Sequence, residues 1–222
     1  MVTLKNDIEN ALRRYPMLYL RLIDNEYFLQ GNFIACDSKS KIEVDRFEIL
    51  LGLTKEYPFR FPIVWEISDK IPKILDRHVK NDGTLCFSNL QDELRFCKNG
   101  ITLIDFLQKV LNPHLCREYY REKEGVYPTG ERVHGLEGGI WQEYYEIFNT
   151  EDKAKILGEI EMIISHNSIG RNSPCYCGSE KIYKACHEKI EPRILDIGRK
   201  NIIWILDLLK DDYKKKRNEI FQ

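Results

Sequence analysis

Apolar residues in the first third of the chain follow two different periods. In residues 3–14 they recur at helical spacing behind Thr3, a candidate N-cap, and this pattern predicts an amphipathic helix. Gly31, farther along, predicts a bulge or a close approach of two backbone segments. One helix followed by a four-stranded antiparallel meander predicts an α+β fold. The strands are predicted where apolar and polar side chains alternate, at residues 17–23, 27–36, 42–51 and 63–67.

Helical patterns dominate the rest of the chain. Thr102 is a candidate N-cap for a helix with one apolar face, and Asn112-Pro113 ends or disturbs that helix. After a glycine-rich segment, an apolar pattern resumes from Trp141 to Phe148. The polar run that starts at Asn149 breaks the composition and favours a new helix. We therefore predict a domain boundary there, which gives domains of residues 1–149 and 150–222.

The charge balance argues against a global attraction to nucleic acid or membrane, since 34 basic and 35 acidic side chains leave a net charge of −1. The N-terminus lacks the apolar core of a signal peptide, and the longest apolar run, Ile202 to Leu209, falls far short of the roughly 20 residues of a membrane span. Seven cysteines without a secretion signal favour a reducing compartment, where close spacing indicates metal binding or catalysis. We therefore expect a cytoplasmic protein.

One cysteine follows an irregular stretch that begins between two prolines. The segment Tyr57–Pro62 leads into the fourth predicted strand, and the next loop carries His78 and Asn81 before it reaches Cys86. Asp82-Gly83 predicts a turn, because glycine accepts the positive φ that other residues resist. Such a turn presents the thiol on irregular backbone, where nucleophilic residues are commonly found.

These residues resemble the core of ubiquitin-conjugating enzymes, and the resemblance covers roughly residues 3–148. That family has a Tyr-Pro-x-x-x-Pro strand and flap, a His-Pro-Asn tripeptide, and a Gly-x-x-Cys that ends in the thioester-forming cysteine. Tyr57–Pro62 and Gly83–Cys86 match the first and last of these features. The family's functional asparagine lies eight residues before the cysteine. His78 occupies that position here, and this histidine variant resembles the bacterial branch of the family.

The resemblance implies a transferase that carries a protein C-terminus as a thioester on Cys86 and passes it to an amine. A thiol suits this step because it is nucleophilic even when little ionised and it leaves readily. His78 or Asn81 could donate a hydrogen bond to the negative oxygen of the tetrahedral intermediate. His78 could instead act as a base, or only brace the loop. His134 lies in a glycine-rich segment that could fold over the cleft, and it is a further candidate.

The same resemblance implies the partners. The substrate is a protein with an activated C-terminal tail, either a ubiquitin-like protein or a nucleotide-making defence enzyme. It is delivered by a separate activating enzyme or processed unaided. Bacterial relatives occur in antiphage defence operons, including those that make cyclic-nucleotide signals, so a role in antiviral defence is expected. Two alternatives stay open: a non-catalytic protein-binding module on the same fold, and a Cys-His hydrolase that removes tails.

Three other cysteines compete with Cys86 for the reactive role. Core packing is the default for Cys36, which lies in a strand pattern, and for Cys116, which lies near a helix end. Cys97 lies in a polar segment, either as an exposed bystander or as a thiol that protects Cys86 by oxidation. The preceding turn and the nearby histidine favour Cys86.

The strongest local pattern in the chain lies within residues 168–190. Three cysteines and a histidine follow the spacing Cys-x-Cys-x8-Cys-His: Cys175, Cys177, Cys186 and His187. Three thiolates and an imidazole suit tetrahedral Zn²⁺ in a reducing cytosol. Gly178 lets the chain turn so that the first two thiols face one point, and residues 180–185 can form a helical turn that returns the second pair.

This segment closely resembles the SEC-C motif, the zinc-binding tail of the protein-export ATPase SecA and of many bacterial accessory proteins. A closed site with four protein ligands keeps no open position for catalysis, so the zinc is expected to be structural. Zinc with three thiolates carries a charge near −1, which Lys181, Lys184 and Lys189 would offset. Those lysines could also contact a partner or nucleic acid, although structural support is the stronger expectation.

Overall fold

The computed structural model describes residues 3–37, 39–127, 137–166 and 168–220. They form two compact units, each with its own hydrophobic core. The first unit lies within Met1–Ser88 and Phe96–Arg132, and the second lies within Asn89–Arg95 and Val133–Gln222. The chain therefore enters the second unit briefly, returns to the first, and then crosses a final time.

The first unit begins with an amphipathic helix, α1 (Leu4–Arg14). The hydroxyl of Thr3 accepts a hydrogen bond of 3.3 Å from a backbone N–H in the first turn, so the predicted N-cap is confirmed. The buried carboxylate of Asp7 accepts hydrogen bonds from the hydroxyl of Tyr57 and from the backbone N–H of Leu103. These bonds connect α1 to the segment Tyr57–Pro62 and to the helix that begins at Leu103.

Four strands form an antiparallel meander in chain order: β1 (Leu18–Ile23), β2 (Glu26–Cys36), β3 (Glu43–Gly52) and β4 (Ile63–Glu66). The predicted α+β class, one helix followed by four antiparallel strands, is confirmed. Alternate side chains of a strand point to opposite faces, and in β2 the buried ones are Leu29, Phe33 and Ala35. One face of the sheet therefore carries the core.

Gly31 lies in the middle of β2 with a φ of +139°. A Cβ atom at this position would lie 2.1 Å from the carbonyl oxygen of Met17. The predicted close approach of backbone is therefore confirmed. The irregular pairing between β2 and β3 lies elsewhere, between Ala35 and Cys36.

A nearly continuous helical segment begins at Leu103 and packs against β2 and β3. Helix α3 (Leu103–Phe106) begins behind Thr102, whose hydroxyl accepts a 3.1 Å hydrogen bond from the N–H of Asp105, as predicted. A π-helical turn, Leu107–Leu111, leads into α4 (Asn112–Glu124). The proline at position 113 thus disturbs the helix without ending it. The side chain of Asn112 forms two 2.9 Å hydrogen bonds with the backbone of Cys36, which fixes α4 to the end of β2.

The second unit is helical. Its core is formed by large apolar side chains from five segments, represented by Leu94, Trp141, Ile160, Ile194 and Ile205. The helices are α2 (Leu90–Phe96), α5 (Gln142–Phe148), α6 (Lys153–Ser165), α7 (Glu191–Ile194) and α8 (Arg199–Ile220), with a π-helical turn at Glu137–Trp141 and 3₁₀ turns at Tyr183–Ala185 and Leu195–Ile197.

The side chains of α5 pack in the second core, although the sequence groups this helix with the N-terminal part of the chain. Tyr144 and Ile147 of α5 are buried in one core with side chains of α6 and α8, and so is Trp141 of the preceding π-helical turn. The boundary at residue 149 stays a prediction about which parts of the chain fold independently. No helix in the described part of the chain is both long and apolar enough to cross a membrane.

Candidate metal centre and cysteine site

The second unit brings four ligand atoms together near its C-terminal half. The Sγ atoms of Cys175 and Cys186 each lie 3.2 Å from Nδ1 of His187, and Sγ of Cys177 lies 3.5 Å from Sγ of Cys186. All four ligand atoms lie within 4.8 Å of one another. The four predicted metal ligands therefore surround a single site.

Local backbone structure explains how distant residues meet. Gly178 takes a φ of +72° and donates its N–H to the carbonyl of Cys175, closing a turn around the first two thiols. Pro174 and Ile182 form an isolated antiparallel bridge, and the 3₁₀ turn Tyr183–Ala185 then delivers the second pair of ligands. The predicted turn and helical return are both present.

The donor set fits zinc. Tetrahedral Zn–S bonds of about 2.3 Å and Zn–N bonds of about 2.0 Å bring neighbouring ligand atoms to about 3.5–3.8 Å, close to the separations found here. Cys175 and His187 are buried, and Cys177 and Cys186 are half-buried. Four protein ligands complete a tetrahedron, which is consistent with structural zinc held by Cys175, Cys177, Cys186 and His187.

A carboxylate on another helix orients the histidine. Nε2 of His187 lies 2.9 Å from Oε2 of Glu159, which belongs to α6. An imidazole that donates Nε2–H to a carboxylate keeps Nδ1 free of a proton and available to a metal, an arrangement typical of histidine ligands. Glu159 was not among the residues predicted from the sequence, because its partner is 28 positions away and no local spacing signals the pair.

Aromatic rings cover the other side of the histidine. The ring of Tyr176 lies 4.9 Å from that of His187 and stacks on His166 at 3.9 Å. Nε2 of His166 and the hydroxyl of Tyr183 both contact Oε2 of Glu191, at 3.0 and 2.9 Å. This cluster links the loop around the ligands to the start of α7 and encloses His187.

The cationic side chains near the ligands differ in their surroundings. Three lysines near the ligands are exposed: Lys181, Lys184 and Lys189. Their charges can offset the negative charge of a zinc ion with three thiolates while the ammonium groups stay in contact with water. Arg171 forms a bidentate pair with Glu188 beside the motif. The charge of this arginine is therefore already matched within the unit.

In the first unit, Cys86 lies on irregular backbone directly after a short bridged segment. Thr84 and Leu85 form isolated bridges with Trp65 of β4 and with Val79. The N–H of Cys86 donates a 2.7 Å hydrogen bond to the carbonyl of His78. The thiol is half-buried, and its Sγ lies 3.9 Å from the carbonyl oxygen of Ser88. Backbone bonds therefore hold the segment on both sides of the turn, while Cys86 itself belongs to no regular element.

The predicted turn is present. Gly83 has a φ of +81°, and Oδ1 of Asp82 accepts hydrogen bonds from the hydroxyl and the N–H of Thr84, at 2.6 and 2.9 Å. These hydrogen bonds hold the pKa of Asp82 below its ordinary value. Asn81 is exposed on the same turn. Its amide therefore projects from the loop that precedes the thiol.

His78 is buried, with only 5% of its surface exposed, and its backbone takes the left-handed conformation at a φ of 53°. Its ring lies 6.2 Å from that of His114 on α4 and 5.6 Å from that of Tyr127. His114 in turn contacts Phe87, the neighbour of Cys86, with ring centroids 5.1 Å apart. The imidazole of His78 therefore packs inside the first unit, between the loop and α4.

An ion-pair network anchors the same loop. The guanidinium of Arg77 donates to Oε2 of Glu118 and Oε2 of Glu122, both at 2.8 Å. The hydroxyl of Tyr127 donates to the other oxygen of Glu118 at 2.7 Å. Burial and this carboxylate raise the pKa of Tyr127 to about 12. Arg77 is the residue before His78, so the network fixes the position of the histidine.

The remaining predicted residues have different positions. His134 lies outside the described residues. Cys97 is buried in the first core and is not an exposed bystander, because the segment around it folds inward. Cys116 is buried and Cys36 is half-buried, and Sγ of Cys116 lies 3.3 Å from the carbonyl oxygen of Cys36. Burial raises the pKa of Cys116 to about 11, which makes it a poor nucleophile near neutral pH.

Comparisons with known proteins concern the metal centre. Residues 171–189 match the family model of the SEC-C motif. The protein translocase subunit SecA of Borreliella afzelii (strain PKo) is 51% identical over 50 residues, which are 22% of this chain and 5% of that protein. SecA of Borrelia garinii subsp. bavariensis is 51% identical over 35 residues, 16% of this chain and 4% of that protein.

The chain thus spans only 4–5% of the length of these two curated relatives. No solved structure matches the chain. Near its C-terminus, the chain carries a SEC-C motif similar to part of SecA.

Proposed function

We propose that the first unit is a ubiquitin-conjugating-like cysteine acyl transferase, and that the second unit is a helical module held together by structural zinc. The observation that carries this proposal is the position of Cys86. Its thiol is half-buried on irregular backbone, after a turn fixed by Asp82 and Gly83, and its N–H is bonded to His78. The backbone that carries this thiol is therefore held in place, and the side chain is only partly buried.

In the proposed reaction, the thiolate of Cys86 attacks the carbonyl carbon of a protein C-terminus that an activating enzyme has already joined to a leaving group. The leaving group departs with its electron pair, and a thioester remains on Cys86. An amine then attacks the same carbonyl, the thiolate leaves, and a base takes the proton from the nitrogen. An amide bond replaces the thioester, so no oxidant or reductant is required.

The loop residues take different roles in this proposal. The burial of His78 against α4 supports a positioning role, in which its carbonyl holds the N–H of Cys86. Asn81 is exposed on the turn, which supports the role of hydrogen-bond donor to the developing oxyanion. In this proposal, the work of the family's asparagine is divided between two residues, the backbone of His78 and the side chain of Asn81.

The setting we propose is bacterial antiphage defence, in which the tail belongs to a ubiquitin-like protein or to a nucleotide-making enzyme. This part rests on the resemblance of Tyr57–Pro62 and Gly83–Cys86 to ubiquitin-conjugating enzymes. The SEC-C motif would then stabilise a module that accompanies the transferase. Its exposed lysines are available to a protein partner.

The test is to express the tagged chain in its own host, where the activating enzyme and the tail are present, and to recover it under non-reducing conditions. Wild type should carry an adduct that thiol reductants cleave. Cys86→Ser should carry a stable ester instead, and Cys86→Ala should carry none. Mass spectrometry of the adduct identifies the tail.

Cys36→Ser is the matched control, because Cys36 is also half-buried and lies in the same unit. It should form the adduct as wild type does. If the adduct forms equally on Cys86→Ala, another residue carries it and the proposal for Cys86 is wrong. If that variant retains full activity in the cell, the domain is a binding module and the transferase proposal is wrong.

A further inference from the structure

The outer edge of the sheet in the first unit is built for pairing with another strand. The opposite edge strand, β4, is partly covered, since its Trp65 forms a β-bridge with Thr84, which follows the Asp82-Gly83 turn. Strand β1 has β2 on one side, and no strand of the described residues pairs with its other side. Natural proteins usually protect such an edge with several charges, proline or a bulge. Along its six residues β1 carries one charge, that of Arg21.

The backbone groups that β1 offers follow from its hairpin. Asp24 and Asn25 both have positive φ and form a two-residue turn, so Ile23 and Glu26 are a hydrogen-bonded pair. Because hydrogen-bonded and non-hydrogen-bonded pairs alternate along an antiparallel ladder, the backbone of the even-numbered residues points away from β2. These residues are Leu18, Leu20 and Leu22.

A hydrogen bond of Leu18 supports the conclusion that the even-numbered residues point away from β2. The N–H of Leu18 donates a 3.0 Å hydrogen bond to the carbonyl of Tyr15 and not to β2. The open edge therefore presents the N–H groups of Leu20 and Leu22 and the carbonyls of all three leucines.

The side chains at this edge are apolar and exposed on the core-facing side of the sheet. Leu20 is 43% exposed and Leu22 is 63% exposed, and Tyr27, the cross-strand partner of Leu22, is 45% exposed. Leu20 lies opposite the core residue Leu29 and therefore on the core-facing side of the sheet, where Leu18 is buried but Leu20 and Leu22 are not. A neighbouring strand with leucines at alternate positions would cover them.

We propose that two copies of this chain pair through β1 and form one continuous eight-stranded antiparallel sheet. A two-fold axis normal to the sheet keeps each face continuous, so residues of the same parity must pair. Pairing Leu20 with Leu20 of the second copy places Leu22 against Leu18 and Arg21 over the ring of Tyr19. Four backbone hydrogen bonds and two cation–π contacts, one on each side of the axis, then form between the copies.

The two neighbouring registers are weaker. A shift that pairs Leu20 with Leu22 places Arg21 directly opposite Arg21 of the second copy, at a closely spaced pair where like charges repel. A shift that pairs Leu18 with Leu20 relies on the N–H of Leu18, which Tyr15 already occupies. Charge and hydrogen bonding thus select one register. This inference does not depend on the proposed transferase activity.

Sedimentation equilibrium of the full chain tests the assembly. Wild type should reach the mass of two chains as concentration rises. Leu20→Lys places two ammonium groups opposite each other and should raise the dissociation constant by at least about tenfold. The matched control is Ile63→Lys on the opposite edge strand, where the native side chain is 39% exposed, and it should dimerise as wild type does. A wild-type protein that stays monomeric, or a Leu20→Lys variant that dimerises normally, would overturn the proposal.

Cysteine cross-linking tests the register. In the proposed pairing, residues 19 and 21 of different copies are opposite at a non-hydrogen-bonded pair, with Cα atoms about 4.5 Å apart, within reach of a disulfide. A mixture of Tyr19→Cys and Arg21→Cys chains oxidised with glutathione disulfide should therefore form a mixed cross-link, located by peptide mass spectrometry. Cross-linking confined to Tyr19→Cys alone or to Arg21→Cys alone would indicate one of the other two registers and contradict the one proposed.

Discussion

The turn before Cys86 depends on one backbone angle, the φ of Gly83. Gly83 has a φ of +81°, which side chains with a Cβ resist. Space is not the limitation, because an added Cβ would lie 3.5 Å from Trp65, an ordinary van der Waals distance. The turn therefore depends on glycine for conformational reasons, as the Asp-Gly pair predicts.

Gly83→Ala should lower the free energy of unfolding by about 1–2 kcal/mol, because the left-handed conformation is strained for alanine. Gly158→Ala is the matched control. Gly158 lies in α6, where an added Cβ meets nothing within 4 Å, so this variant should raise the stability by about 0.5–1 kcal/mol. Urea denaturation followed by circular dichroism measures both. Equal effects of the two substitutions would mean that the turn is not strained by a side chain.

His78 offers a second test at the residue scale. Since its ring is buried against His114 and Tyr127, His78→Ala should lower the melting temperature. If the residue acts by positioning, the rate of transfer from a preformed thioester should fall by less than tenfold. Loss of a donor to the oxyanion would instead slow the chemical step by about 10²–10³, with little change in binding. Single-turnover kinetics and thermal unfolding of the same variant distinguish the two roles.

At the scale of elements, patterns within one segment could be predicted and contacts between segments could not. The strands and the caps at Thr3 and Thr102 follow from local periodicity and hydrogen bonding. The metal ligands follow from their close spacing. Glu159, by contrast, meets His187 only because α6 packs beside the ligand loop. The burial of Cys97 was missed for a similar reason, since its polar neighbours conceal that it contacts the core.

Helix α6 should therefore contribute to metal affinity. Glu159→Ala removes the carboxylate that holds Nε2–H of His187 and should weaken zinc binding by about 10–100-fold. A competition titration with a chromophoric chelator measures the affinity. Glu161→Ala is the matched control, because Glu161 lies on the same helix and pairs with Lys210 instead. An unchanged affinity in Glu159→Ala would show that the histidine is oriented without its carboxylate partner.

At the scale of the whole molecule, the two cores do not divide the chain at a single position, although the composition changes at Asn149. The second core includes Leu94, which lies between residues of the first unit in sequence. Arg95 also belongs there, since it pairs with Glu143 and with Asp196. No local pattern could have predicted this excursion, because a seven-residue helix with three apolar residues fits equally well in either core.

A fragment of residues 1–149 tests whether the predicted boundary separates independent folding units. Such a fragment keeps Leu94, Tyr144 and Ile147 but removes α6 and α8, which bury them. We expect the amides of α5 to lose protection from hydrogen exchange while those of β2 and β3 keep it. Hydrogen exchange, measured by mass spectrometry on the fragment and on the full chain, compares the protection of these amides. Equal protection of α5 in both would mean that the N-terminal part folds without the second core.

The excursion at Asn89–Arg95 has a consequence for inheritance. A short run of codons that serves the zinc-bearing unit is embedded within the coding sequence of the other unit, just downstream of the Cys86 codon. A recombination event with one breakpoint can move the C-terminal half of the gene, but it leaves Leu94 and Arg95 behind. The recipient would lack part of the core, and the donor would keep Leu94 without the side chains that bury it. The two halves are therefore expected to be inherited together, with coordinated change at both places.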